Sequence, residues 1–134
     1  MSPEVLRRKL DHLRRYLADL RRHQDVSRDD FEREHYAVER LVELLVEASS
    51  SVAFHVLSIK EGTSPGSYKD AFQRLGAAGL IPVDLAGRLG KLAGMRNVLV
   101  HGYQQIDLDL VHQSIRPCIQ DMEAFIQAAE RIQL

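Results

Sequence analysis

The chain has 134 residues, 45% of them apolar and 28% charged, the composition of an ordinary globular protein with room for a real core. A net charge of −1 excludes binding of polyanions through the overall field, so any nucleic-acid contact has to come from a local patch. A lone cysteine, Cys118, excludes an intrachain disulfide and reads as a small core residue, and no Cys/His cluster has the spacing of a zinc site.

The first predicted helix covers residues 3–23, with Ser2 as its cap and Pro3 at the first helical position, where a missing N–H costs little. Leu6, Leu10, Leu13, Leu17 and Leu20 alternate steps of four and three, a single apolar seam, and the arginines between them read as a solvated face. A second helix is predicted over 29–60. Val38, Leu41, Val42, Leu45, Ala48, Val52, Val56 and Ile59 keep the helical period, and Leu44, Val46, Ala53, Phe54 and Leu57 widen it into a helix that packs on two sides. His55 shares that stripe and reads as a satisfied core or interface histidine, while Arg40 and Glu43 read as a local pair.

Gly62 to Ser67 form a loop, and a short third helix follows over 67–78. The fourth helix, 83–100, turns Leu85, Leu89, Leu92, Met95 and Leu99 inward. Its Gly87, Gly90 and Gly94 form a small-residue strip that a backbone or a ligand can approach closely. The last helix begins at the cap Asp107 and runs to 132, with Leu108, Val111, Ile115, Cys118, Ile119, Met122, Ile126 and Ala129 as its seam and a kink at Pro117. Tyr16, Tyr36 and Tyr68 read as packing residues. No segment alternates as a strand does, so the expected fold is all-α: one domain over 1–134, an antiparallel bundle of four main helices plus one short helix. No apolar run approaches the ~20 residues of a membrane span and no secretory leader is evident, which leads to the expectation of a cytoplasmic protein with no membrane contact.

Arg96-Asn97-Val98-Leu99-Val100-His101-Gly102-Tyr103 concentrates the chemistry. Asn97 and His101 are four residues apart and share a stripe; Arg96 and Tyr103, seven apart, share another. Gly102 suits a helix C-terminus, which places His101 in the last turn. An arginine can hold a phosphate, and an imidazole titrates near neutral pH, so it can take or give a proton. Lys69, Arg74, Arg88 and Lys91 outnumber Asp70 and Asp84 in this region. Arg88 and Lys91, one to two turns before the motif, are candidate RNA-binding residues.

This stretch, with Gly94-Met95 before it and Ile106-Asp107-Leu108 after it, resembles the signature of the HEPN superfamily and, within it, the HepT-like toxin ribonucleases. The resemblance extends over nearly the whole chain. It implies an endoribonuclease toxin that needs no metal or other cofactor, with the motif in a cleft at a symmetric homodimer interface. Arg96 and His101 would then be catalytic, with Asn97 and Tyr103 supporting them. The implied partner is a small nucleotidyltransferase-fold antitoxin of the MNT type, and Tyr103 would be the residue it adenylylates. RNA carries its own nucleophile, the 2′-OH, which suits a site of this kind. The competing reading is a non-catalytic HEPN helical subunit that docks a nucleotidyltransferase and helps bind its substrate. The complete Arg96, His101 and Tyr103 set favours the enzyme, and a plain structural bundle is the third alternative.

Overall fold

The computed structural model describes residues 3–102 and 106–134, so Ser2 and Tyr103 lie outside the described residues. Five helices follow in chain order: α1 (Pro3–Arg21), α2 (Arg28–Lys60), α3 (Tyr68–Ala77), α4 (Val83–His101) and α5 (Leu108–Glu130). No strand occurs among the described residues.

Local chemistry sets the ends. Ser27, Ser67 and Asp107 each precede a helix and accept from its first free N–H groups, at 3.1 Å from Asp30, 3.0 Å from Asp70, and 3.0 and 3.3 Å from Asp109 and Leu110. Two turns need glycine: Gly62 after α2 and Gly79 after α3 adopt φ of 66° and 73°, the left-handed region. α5 passes through Pro117 as one continuous helix.

α2 is the spine. Its 33 residues span about 50 Å at the helical rise, and it touches all four other helices. Much of its middle is therefore buried: Val38, Val42, Leu45, Val46, Val52, Ala53, Val56 and Leu57 are fully enclosed. This corrects the expectation that no run is apolar enough for a membrane span. α2 holds an 18-residue window of mean hydropathy 1.4, and 56% of that window is buried inside the fold. The neighbouring helices take up its apolar surface.

The Leu6–Leu20 seam of α1 is buried at every predicted position, and Cys118 is fully enclosed, where burial pushes its thiol up to about 12. Phe125, absent from the predicted α5 seam, is fully buried and meets Phe72 of α3 edge to face, with ring centres 6.0 Å apart. Tyr36, expected to pack, is 77% exposed and lies over the His35 ring instead.

The glycine strip of α4 receives no backbone from the described residues. A Cβ at Gly87 or Gly94 would meet nothing within 4 Å, and at Gly90 it would meet only the Lys69 side chain at 3.3 Å. The close helix approach is at Gly76 of α3, where a Cβ would stand 2.8 Å from the Cβ of Ala86.

Candidate active site

The Arg96 guanidinium is the centre of the site, and three helices position it. From α4 it crosses to α2, where NH2 donates to Glu47 Oε1 at 2.9 Å. Tyr68, the first residue of α3, lies under it with its ring centre 5.1 Å from the guanidinium carbon. Asn97 Oδ1 stands 3.5 Å from NH1. The side chain is only 17% exposed, and its Nε has no partner among the described residues. A guanidinium clamped by a carboxylate and an aromatic face loses little freedom when it binds an anion, because its plane is already fixed. A cleft of about 390 Å³ opens beside it, lined by Tyr68, Lys69, Gly94, Arg96 and Asn97 among others.

His101 is the last residue of α4 and is exposed. Five residues separate it from Arg96, about 140° round the helix, and no hydrogen bond joins the two. It belongs to a different stripe. Val83, Gly87, Lys91, Gly94, Val98 and His101 recur at three- and four-residue steps and are all exposed, Val83 at 73% and Val98 at 50%. The glycines leave that stripe flat. The helix ends at Gly102 as predicted, but for another reason than a left-handed cap. Its φ is −89°, its N–H donates to Val98 O at 2.6 Å, and a Cβ there would stand 2.6 Å from that same carbonyl oxygen. Proposed roles for Tyr103 fall on a residue outside the described ones.

The two candidate RNA-binding residues differ. Arg88 donates through Nε to Asp121 Oδ1 at 2.8 Å and through NH1 to Asp84 Oδ2 at 3.2 Å, so it ties α4 to α5 and its charge is locally balanced. Lys91 is exposed on the same stripe as His101. Arg40 pairs with Glu43 at 3.0 Å, as read from the sequence.

Sequence reasoning missed Glu47 and gave Tyr68 only a packing role, since both lie far from the motif along the chain and meet it through tertiary contact alone. His55 is buried as expected, at 7% exposure, but its Nε2 has no partner among the described residues. Burial, with the nearby Lys9 charge, lowers its pKa below the usual histidine value.

Comparison with known proteins follows this geometry. The family model described as Ribonuclease HepT-like matches residues 13–129. The tRNA nuclease HepT of Aphanizomenon flos-aquae is 30% identical over 132 residues, 95% of this chain and 88% of that protein. The mRNA nuclease HepT of Shewanella oneidensis is 35% identical over 80 residues, 60% of each chain. In fold, the chain superposes on a tri-AMPylated Shewanella oneidensis HEPN toxin, solved in complex with an MNT antitoxin, with a TM-score of 0.87. That match has 24% identity and covers 98% of this chain and 100% of that one.

Proposed function

The chain belongs to the HepT-like ribonuclease family, and on that premise we propose that it is the ribonuclease toxin of a toxin–antitoxin pair, acting in the cytoplasm as a homodimer. The observation that carries this reading is the Arg96 guanidinium, fixed by Glu47 and Tyr68 at the mouth of a cleft in the motif region. One NH2 proton is engaged by Glu47, and NH1 keeps a donor for a non-bridging oxygen of the scissile phosphate. His101 takes the proton of the RNA 2′-OH. The 2′-oxygen forms a bond to phosphorus, the bond to the 5′-oxygen breaks, and the products are a 2′,3′-cyclic phosphate and a 5′-OH. The leaving oxygen takes its proton from His101 of the partner subunit, which makes the site composite.

Two features support the homodimer. The exposed Val83–His101 stripe offers apolar and small residues on one flat face. His101 lies on that face, apart from Arg96, as a group shared across an interface would. Lys91, on the same face, is the stronger of the two sequence candidates for a phosphate contact.

The partner is a nucleotidyltransferase-fold antitoxin of the MNT type, and adenylylation of Tyr103 is the off-switch: the added phosphate and nucleoside fill the cleft and repel RNA. The test is expression in cells. The wild-type chain arrests growth and Arg96→Ala does not. Coexpression with the antitoxin restores growth and raises the toxin mass in adenylyl steps that map to Tyr103. Undiminished arrest by Arg96→Ala removes the catalytic assignment, and rescue without a mass change removes the covalent switch.

A further inference from the structure

A second cleft, of about 490 Å³, lies between α1, α2 and the start of α3, with Lys9, Glu47, Ser51, Phe54, His55 and Tyr68 in its walls. Glu47 and Tyr68 are the two residues that hold the Arg96 guanidinium. Whatever occupies this cleft therefore touches the supports of the catalytic arginine. From the structure we propose that the cleft receives the nucleoside unit next to the scissile phosphate of the RNA, with His55 reading the edge of its base and Lys9 meeting a flanking phosphate. The proposal deepens the ribonuclease reading and rests on it.

Three observations converge on a nucleotide. The cleft is large enough for a base and its ribose. Phe54 and Tyr68, edge to face with ring centres 6.1 Å apart, supply aromatic surface of the kind on which bases stack. The polar groups are those a nucleotide needs: Lys9 Nζ donates to Ser51 Oγ at 2.6 Å and makes no ion pair among the described residues, where His55 Nε2 also has no partner. A buried ring nitrogen left without a partner is a cost to the fold that a ligand's donor or acceptor offsets. Burial and the Lys9 charge favour the neutral imidazole, whose Nε2 can offer a base edge a donor or an acceptor according to its tautomer. Lys9 opposes a metal ion or any cationic ligand, and inorganic phosphate would leave Phe54 and His55 unused. Along α1 and α2 the groove continues past Arg8, Lys9 and His12, a basic path for the next phosphates of a strand.

The test has two arms. In the first, the full-length protein digests a random-sequence RNA pool and the cut sites are sequenced. The wild type favours one base at a nucleotide flanking the cut. His55→Gln changes or flattens that preference severalfold. Lys9→Gln raises KM severalfold and leaves the base preference intact. An unchanged preference in His55→Gln overturns the base-reading role. The second arm needs no cleavage: protein labelled with 15N at histidine is titrated with each of the four ribonucleoside 5′-monophosphates. The His55 ring resonances shift saturably, furthest with the base preferred in the first arm. No His55 shift with any of the four at millimolar concentration overturns the pocket even if RNA is cut. Shifts without any RNA cleavage would instead overturn the ribonuclease reading and leave a nucleotide-binding pocket.

Discussion

Arg96 shows how one side chain is made ready for an anion. Its charge is not free in solvent: Glu47 takes NH2 at 2.9 Å and Tyr68 covers one face. A cation–aromatic contact of this kind is worth about 0.5–2 kcal/mol, rising as the pair is desolvated. Glu47 does not touch the reacting phosphate in this account but orients the guanidinium that does, so it is a positioning residue. Glu47→Gln keeps an acceptor for NH2 and should lower kcat for RNA cleavage less than about tenfold, whereas Glu47→Ala frees the guanidinium and should lower it by more than that, with KM little changed in both. Wild-type kcat in both variants would remove Glu47 from the site. The sequence contained Arg96 and Asn97 as neighbours, so their common placement was legible. Glu47 was not, because a glutamate on a long helix carries no mark of the arginine it will meet 49 residues later. Nor was the orphaned Nε2 of His55, since burial is readable from periodicity but satisfaction depends on neighbours that only the fold supplies.

At the scale of elements, helix starts are legible where caps mark them: Asp107 caps α5 as its sequence position predicts, and Ser27 and Ser67 act in the same way. The α1 seam was complete because its spacing is regular and only one side is buried. α2 and α5 were read less fully, since a helix packed by several partners buries residues off any single stripe, as Phe125 and Ser49 are. The close approach of α3 and α4 is not at the α4 glycine strip. It occurs at Gly76, while Gly87 and Gly94 face open space. Gly76→Ala should therefore destabilise the fold by about 1–3 kcal/mol through overpacking against Ala86, despite the better helix propensity of alanine. Thermal unfolding checks this: Tm falls by several degrees, and the double change Gly76→Ala with Ala86→Gly recovers part of the loss. A Tm at or above wild type would show that the two helices separate at no cost.

For the whole molecule, the long α2 is the support that all four other helices share. α1 and α5 are strapped together by ion pairs from Arg14 to Glu130 and Arg21 to Glu123. The cleft beside Arg96 opens between α3 and α4, the second between α1, α2 and the start of α3, and His101 sits apart on the exposed α4 stripe. In the proposed homodimer, that separation makes the interface part of the chemistry and not only of the assembly. The relatives named for tRNA and mRNA cleavage fit a frame in which the phosphate site is fixed while the pocket beside it selects the RNA. The most direct test is the chemistry of the RNA ends left by the purified protein in the presence of a metal chelator. The account predicts 2′,3′-cyclic phosphate and 5′-OH ends from the wild type, with Arg96→Ala and His101→Ala each slowed by about a hundredfold or more while remaining dimeric. Ends bearing 3′-OH and 5′-phosphate, or full-rate cleavage by His101→Ala, would contradict it.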